Sequence, residues 1–353
     1  MREVVRPRGV DGGAMGSVDA PVNRPAPDTG PVLKYRRRMV VGYAMVVAVS
    51  PYLVLKVLWV SGLMVGVPEG SPARGRDFVG VNIVTGLFDL MAIALALALT
   101  HRWGRRLPAW LVLTPIWIGT GLLIPAVCEL VNGAAAAALT GGRAVSLAGG
   151  LVDTWTYMVV YTSFGLQGLL LATALVLYAR TRWAELFNRT GGAANPGPAR
   201  GAQVLFATAG AAAAVAVAVG HLVMALGTEG AFGAYQAGWE YTARSGEVVN
   251  AVMAALAVSG IRLMIRRPAA GRRTPLWVGV ALTWTGTGAM FAYALLTLAA
   301  VVTGAPQSDN VTALNGLTQL TALLGGLVIA MTGIFSLAER GDTAANSNLK
   351  DNP

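Results

Sequence analysis

Four ionisable residues stand inside or at the edge of long apolar stretches of this chain: Lys56, Asp89, His221 and Glu247. An ionisable side chain within a membrane is costly and usually faces the interior of a helix bundle or a water-filled cavity. Such residues line substrate and ion pathways, and histidine changes its charge near neutral pH. These four residues are therefore the first candidates for a substrate or ion site.

Lys56 lies about 17 residues into the first apolar stretch, and Asp89 lies about 10 residues into the second. On adjacent antiparallel helices, both residues fall in the middle to outer part of the bilayer. The lysine stem can reach along its helix, so the spacing predicts a Lys56–Asp89 ion pair. Two interpretations remain open, a binding or ion-coupling site and a fixed pair that locks the helices together.

The other polar residues are open to similar alternatives. His221 either makes a hydrogen bond at the outer interface or pairs with Glu247, which begins the sixth apolar stretch on the same side. Two asparagines, Asn82 and Asn250, are further site candidates. Glu129 and Asp153 are predicted to be solvated residues at loop edges.

The composition is that of a membrane protein. Hydrophobic residues make up 55% of the chain and charged residues 12%, whereas about a quarter of the residues in soluble domains are charged. A helix needs about 20 apolar residues to cross the hydrocarbon core of a bilayer. The chain has eight such stretches, which predict an all-α transmembrane bundle: residues 39–66, 79–100, 109–130, 155–178, 202–226, 246–265, 276–303 and 311–337.

The arginines indicate the orientation of this bundle. They concentrate in three alternate connections: Arg102, Arg105 and Arg106; Arg180, Arg182 and Arg189; and Arg266, Arg267, Arg272 and Arg273. Cytoplasmic loops carry the excess of basic residues, so both termini are predicted to lie on the cytoplasmic side of the cell membrane. The formal charge of +10 is spread over these clusters without a separate basic domain, so nucleic-acid binding is not predicted.

One motif occurs twice, in the third and seventh stretches. Each copy follows a Pro and a Trp at matching positions, and the copies are Trp117, Gly119, Thr120 and Gly121, and Trp284, Gly286, Thr287 and Gly288. Repetition at one offset predicts a duplication, with two parallel four-helix halves related by a pseudo-twofold axis along the membrane normal. Small residues beside a large ring also favour close helix packing. At this offset His221 corresponds to Lys56 and Asn250 to Asn82, whereas Leu256 or Ala257 takes the place of Asp89.

The predicted organisation has five parts. Residues 1–38 are a disordered basic tail, residues 39–180 the first repeat, residues 181–201 a cytoplasmic linker, residues 202–337 the second repeat, and residues 338–353 a disordered tail. The linker prediction follows from its Gly, Pro and Ala content. The tail and loops are expected to contact anionic lipid.

A resemblance to a known family follows from these motifs. A long first span with Tyr52, Leu55, Lys56, Trp59 and Gly62, followed by the twice-used Pro, Trp and Gly-Thr-Gly pattern, resembles a family of multi-pass proteins common in actinobacteria. The likeness covers residues 39–337. It implies residence in a membrane and implies no particular reaction, because the family is functionally uncharacterised.

No sequence pattern predicts a catalytic, cofactor or metal site. The chain lacks a phosphate-binding loop, a His-Glu-x-x-His motif, a nucleophile elbow and a dinucleotide turn. It has one cysteine, Cys128, and two histidines, His101 and His221, which gives no basis for a disulfide or a metal centre. Ser61 follows Lys56 by five residues, and this serine–lysine arrangement is the one enzymatic option.

Three functions remain as hypotheses. The leading one is a transport-class, permease-like protein with a polar site near the interface between the repeats. The second is a non-catalytic scaffold, sensor or accessory subunit, and the third is an intramembrane enzyme. The expected partners are the lipid bilayer and either a separate protein subunit or a second copy of the chain. A water-filled path to Lys56 would favour transport, and a packed bundle with Lys56 paired would favour the second hypothesis.

Overall fold

The structure is a computed structural model that describes residues 30–71, 74–140, 152–184, 187, 199–230, 233–234, 240–266, 274–303 and 311–350. Its long helices are α1 (Gly30–Val60), α2 (Arg76–Thr100), α3 (Ala109–Thr140), α4 (Thr154–Arg182), α5 (Arg200–Leu226), α6 (Glu240–Ile265), α7 (Leu276–Thr303) and α8 (Ala313–Lys350). A short 3-10 helix, Trp103–Arg106, precedes α3. Two antiparallel strands of two residues each, β1 (Glu229–Gly230) and β2 (Gly233–Ala234), follow α5.

The eight predicted spans are confirmed, because each long helix contains a stretch long and apolar enough to cross a membrane. Some ends differ from the prediction, and the first span stops at Val60 rather than at residue 66. The reason is a Schellman motif, in which Leu63 donates to the Leu58 carbonyl at 2.9 Å and Gly62 donates to the Trp59 carbonyl at 3.1 Å. Gly62 has a φ of 91°, a left-handed conformation that glycine adopts without strain.

The predicted tails and linker are only partly described. Residues 1–29, most of the linker and residues 351–353 lie outside the described residues. Where the described chain enters these segments it is helical: α1 begins at Gly30, α4 continues to Arg182, and α8 runs on to Lys350. The helices therefore extend into parts of the predicted disordered tails, 30–38 and 338–350, and into both ends of the linker.

The helices form two groups with the same set of neighbours. Helix α1 packs on α2 and α4, and α3 packs on α4; in the second group α5 packs on α6 and α8, and α7 packs on α8. Each group encloses its own core, with Met45, Leu99 and Ile116 in the first half and Ala214, Ala254 and Ile329 in the second. The two groups meet where α3 packs on α7 and α6.

One helix pair differs between the halves. Helices α6 and α7 make an extensive contact, whereas α2 and α3 touch over a short region. The close contact depends on glycine, because a Cβ added at Gly260 would collide with the backbone of Thr283, and one added at Gly279 would come within 2.9 Å of Met264. The residues 167 positions earlier are Ile93 and Val112, so α2 and α3 have no glycine at these positions.

Arginines bind to helix ends on one side of the bundle, which we call the basic end. Helices α1, α3, α5 and α7 begin at the basic end, and helices α2, α4, α6 and α8 end there. Arg38, at the start of the membrane span of α1, donates to the Leu99 carbonyl near the end of α2 at 2.9 Å. Arg200 at the start of α5 donates to the Ile265 carbonyl at the end of α6, also at 2.9 Å. These bonds satisfy carbonyls that lack partners within their own helix and place positive charge at the negative end of the helix dipole.

Candidate functional site

The predicted pair of Lys56 and Asp89 is present. Lys56 Nζ lies 2.6 Å from Asp89 Oδ2, and the two residues are 2% and 3% exposed. Gln167 on α4 donates through Nε2 to the other carboxylate oxygen, Oδ1, at 3.2 Å. The lysine ammonium also lies 4.0 Å from the centroid of the Tyr52 ring, a favourable cation–π distance. Helices α1, α2 and α4 thus build one closed polar site.

The lysine stem passes beside Gly86 of α2 on the way to its partner. Lys56 lies one turn before the end of α1 at Val60, whereas Asp89 lies near the middle of the span Phe78–Thr100. The lysine stem crosses α2 at Gly86, where an added Cβ would lie 3.7 Å from Lys56 Cδ. The stem therefore carries the ammonium toward the centre of the bundle, where removal from water strengthens its attraction to the carboxylate.

Four aromatic residues close this site on the side away from the basic end, and we call them the aromatic cap: Tyr52, Trp59, Phe78 and Phe164. Their rings are in contact, with centroids 5.2 Å apart for Trp59–Phe78 and for Tyr52–Phe164. Trp59 is 2% exposed and donates its indole N–H to the Val65 carbonyl at 2.8 Å. The cap therefore packs as one aromatic cluster beside the Lys56–Asp89 pair.

A second buried pair lies in the other half. His221 Nδ1 on α5 is 2.6 Å from Glu247 Oε2 on α6, and both residues are 4% exposed. Helix α8 approaches next to the histidine, because a Cβ at Gly220 would collide with the Thr318 hydroxyl. The same helix buries two amides, and Gln319 donates to the Asn315 side chain at 3.0 Å. Of the two alternatives for His221, the structure has the pair with Glu247.

The two pairs occupy similar places in their halves. Each joins the first helix of its half to the second, and the fourth helix contributes buried amides. The carboxylates are not at corresponding positions, because Glu247 lies near the start of α6 and Asp89 near the middle of α2. At the repeat offset, the residue that corresponds to Asp89 is Leu256 or Ala257. The sequence comparison therefore does not identify Glu247 as the second carboxylate, and the structure does.

Glu129 corrects a prediction. It was expected to be a solvated loop-edge residue, but it lies within the α3 span and is half-buried. Its carboxylate faces α6, because a Cβ added at Gly246 would lie 3.2 Å from Glu129 Oε1. Asn132 on the next turn of α3 donates to the Ser245 hydroxyl at 3.2 Å. Glu129 of the first half therefore stands beside the residue preceding Glu247 of the second half, whereas Asp153 is exposed as predicted.

The repeated motif forms the contact between the halves. Trp117 donates its indole N–H to the Thr287 hydroxyl at 3.2 Å, and Trp284 donates to the Thr120 hydroxyl at 3.0 Å. Each threonine hydroxyl also donates to a carbonyl of its own helix at 2.7 Å. Each hydroxyl therefore accepts one hydrogen bond from an indole and donates another to the backbone. The two bonds are reciprocal, since each half supplies one tryptophan and one threonine.

The motif glycines allow this approach to different extents. A Cβ added at Gly121 would collide with the backbone of Gly288, and one added at Gly288 would lie 2.8 Å from the Trp117 carbonyl oxygen. Gly286 faces α6 instead, where a Cβ would collide with the backbone of Ala257. Gly119 is less constrained, because its nearest neighbour would be a Leu171 methyl at 3.6 Å. The space between the halves at this level is filled by packed side chains.

The remaining candidates do not join the two pairs. Asn82 is 4% exposed and donates to the Phe78 carbonyl of its own helix at 2.8 Å, and Asn250 is half-buried on α6. Ser61 is exposed, and its hydroxyl donates to the Leu58 carbonyl at 2.8 Å. The Lys56 ammonium is directed at Asp89, so the two are not arranged as a serine–lysine site. Within the described ranges, no cluster of three or more His, Cys, Asp or Glu residues is placed to hold a metal ion.

Comparison with known proteins assigns the chain to no family. No protein-family model matches it, and neither a curated protein nor a solved structure matches it. Its function must therefore be inferred from its buried polar pairs and its helix contacts.

Proposed function

We propose that this chain is a transport-class protein of the cell membrane, with one buried polar site in each of two four-helix repeats. The observation that carries the proposal is the cation–carboxylate pair buried between the first and second helices of each half, Lys56–Asp89 and His221–Glu247. Ionisable residues within membrane helices are rare because they are costly, and they commonly mark ion or substrate pathways. Two such pairs in similar places favour a common role.

The duplication is part of the proposal, with residues 39–180 and 202–337 as its two copies. It is supported by the reciprocal Trp–Thr bonds between α3 and α7 and by the arginine bonds that Arg38 and Arg200 make to the ends of α2 and α6. A pseudo-twofold axis then passes between Gly121 and Gly288. We also propose membership of the actinobacterial family of multi-pass proteins that the motifs resemble.

The orientation follows from charge. We propose that the basic end faces the cytoplasm, because arginines concentrate there and cytoplasmic loops carry the excess of basic residues. Exposed tryptophans occur near both ends of the bundle, with Trp110 and Trp277 at the basic end and Trp155 at the other, as expected for residues at membrane interfaces. Anionic lipid is the proposed partner of the basic end.

We propose that the pathway runs within each half, and the packing of α3 on α7 supports this. The axis between them is occupied by the reciprocal Trp–Thr contact, whereas each buried pair lies inside a four-helix group. In the first half, a solute would reach Lys56 and Asp89 after the aromatic cap opens. The chain carries no nucleotide-binding motif, so the process would use an ion gradient, be passive, or depend on a separate ATPase subunit.

One observation favours a second candidate, a non-catalytic scaffold, sensor or accessory subunit. Lys56 is 2% exposed and is in contact with both Asp89 and the Tyr52 ring. A charge that is buried and paired in this way also fits a role in holding helices together. The two candidates differ in whether the pair becomes accessible to solutes.

The test is flux of a panel of ions and small molecules in proteoliposomes. The native protein is compared with Lys56→Ala, with Asp89→Ala and with the double variant Lys56→Met/Asp89→Leu, which removes both charges together and leaves neither unpaired. Flux by the native protein and its loss in a folded double variant would support transport at this site. Absence of flux for every solute, or unchanged flux in the folded double variant, would contradict the proposal.

A further inference from the structure

The two buried pairs differ in how their charge is balanced. When both groups are ionised, the Lys56 ammonium and the Asp89 carboxylate cancel each other's charge. Histidine is charged only when its ring carries two protons, so the charge of the His221–Glu247 pair depends on one exchangeable proton. A net charge within the hydrocarbon region is costly, whereas a neutral pair is much less so.

The distance between His221 and Glu247 implies one shared proton. His221 Nδ1 and Glu247 Oε2 are 2.6 Å apart, a hydrogen-bond distance, so one proton lies between them. The other ring nitrogen, Nε2, either carries a proton or does not. With Nε2 unprotonated, a neutral ring stands beside a carboxylate and the pair carries one negative charge. Protonation of Nε2 makes the ring an imidazolium, and the pair becomes neutral.

The surroundings add negative charge on one side. Glu129 of α3 lies against Gly246, the residue before Glu247, and so brings a second carboxyl group near the pair. From α6, Arg244 donates to the Ala225 carbonyl at 2.6 Å, one turn beyond His221. Helix α7 contributes Tyr293, whose hydroxyl donates to the Leu122 carbonyl at 3.4 Å. Among the described residues, α8 brings the uncharged amides of Asn315 and Gln319, and β1 brings the exposed Glu229.

We infer that His221 and Glu247 form a proton-binding site, occupied or empty according to pH. Binding adds one proton to the imidazole and leaves the carboxylate ionised, and no other bond forms or breaks. Imidazole is the side chain suited to this, because its charge ordinarily changes between about pH 5 and 8.

This site would also define the coupling ion of the protein. In a transport cycle, the proton taken up by His221 is the ion that a gradient drives across the membrane, and this step depends on the proposed function. Proton binding by the pair does not depend on it. The test below measures the ring directly, so it can succeed or fail whatever the result of the flux experiment.

The chain has two histidines, which makes a direct measurement possible. His101 lies at the basic end, where its ring stacks edge-on against Tyr43 at 5.7 Å, away from the pair. In a His101→Gln variant labelled with ¹⁵N-histidine and placed in lipid nanodiscs, His221 gives the single ring signal. We expect its nitrogen shifts to change from those of a neutral ring to those of an imidazolium as the pH is lowered from about 9 to 5.

Two further variants identify the partner. In Glu247→Gln the midpoint should move to lower pH by about one pH unit or more, a tenfold loss of proton affinity, because the carboxylate no longer stabilises the imidazolium. Glu129→Gln keeps the pair intact and should move the midpoint in the same direction by less. A ring signal that stays constant over the whole range would overturn the inference. So would a midpoint unchanged in a folded Glu247→Gln protein; if that variant does not fold, the titration of the parent and of Glu129→Gln decides.

Discussion

Gly121 of α3 and Gly288 of α7 lie at the crossing of the two halves, so close that a Cβ added at Gly121 would collide with the backbone of Gly288. The reciprocal bonds from Trp117 to Thr287 and from Trp284 to Thr120 flank this crossing. Small residues permit such backbone contact in membranes, where association depends on packing and hydrogen bonds more than on the hydrophobic effect. The crossing is therefore a fixed contact between the halves.

The first prediction compares two glycines of one motif. Gly121→Ala should destabilise the protein by about 1–3 kcal/mol because the added methyl has no space. Gly119→Ala is the matched control, because the added Cβ would meet only a Leu171 methyl at 3.6 Å. Both substitutions increase helix propensity by the same amount. Unfolding in detergent, followed by tryptophan fluorescence, measures the difference. Equal stability of the two variants would show that α3 and α7 do not cross at Gly121.

The reciprocal bonds can be tested with double-mutant cycles. Trp117→Phe and Thr287→Val each remove one partner of the first bond, and Trp284→Phe and Thr120→Val do the same for the second. We expect a coupling free energy of about 0.6 kcal/mol in each cycle, as is typical of hydrogen bonds between membrane helices. Trp117→Phe with Thr100→Val serves as a control, because the Thr100 hydroxyl bonds to the Ala96 carbonyl of its own helix at the basic end. Coupling in that control cycle as large as in the other two would argue against two separate bonds.

The Lys56–Asp89 pair predicts a non-additive effect on stability. Lys56→Met or Asp89→Leu alone leaves a buried charge without its partner and should cost about 3–5 kcal/mol of unfolding free energy. The double variant should be more stable than either single variant, because it leaves no charge in the bundle interior. Equilibrium unfolding of the four proteins measures this. Additive losses would mean that the two charges do not interact in the folded protein.

Access to Lys56 separates the two functional candidates. In a Cys128→Ser background, which removes the single native cysteine, Gly86→Cys provides one thiol beside the Lys56 stem and keeps the Lys56–Asp89 pair. In a static bundle this thiol should resist a membrane-impermeant cationic thiosulfonate, whereas opening during transport should allow modification within minutes. Trp59→Ala removes the largest ring of the cap and should increase the rate at least tenfold. An equal rate with and without Trp59 would show that the cap does not control access.

The connection after α1 predicts a contrast between two glycines with positive φ. Gly66 (φ 69°) accepts hydrogen bonds through its carbonyl from the Asp153 N–H at 2.8 Å and the Thr156 hydroxyl at 3.2 Å. Its Cβ would also collide with Thr156, whereas a Cβ at Gly62 would meet nothing within 4 Å. Gly62→Ala should cost about 1–2 kcal/mol from backbone strain, and Gly66→Ala should cost more. Thermal unfolding in detergent compares them, and a smaller loss in Gly66→Ala would contradict this packing.

The span count and the Lys56–Asp89 pair were predictable from the sequence. The length of an apolar stretch decides whether it can cross a bilayer, and this is a local property of the chain. A long lysine stem near the end of one helix can reach a carboxylate on the next helix over a range of registers. The short connection between α1 and α2 makes these helices neighbours.

Contacts between distant helices were not predictable in the same way. The recurrence of Trp117 and Thr120 as Trp284 and Thr287 marks packing positions, but it does not say that each tryptophan bonds to the threonine of the other half. That depends on where α3 and α7 cross, which is set by the approach of Gly121 to Gly288. A sequence position gives depth in the membrane, and only the packed bundle gives direction around each helix.

The His221–Glu247 pair shows the same difference between what local sequence and what helix packing determine. The sequence by itself determined that His221 and Glu247 lie within or beside apolar spans, because burial in a membrane follows from local hydropathy. Only the tertiary structure decided that they meet at 2.6 Å and that Glu129 is half-buried against Gly246 rather than solvated. The register and rotation of α3, α5 and α6 are the sum of many small packing contacts across the whole bundle, and no single segment of the chain encodes them.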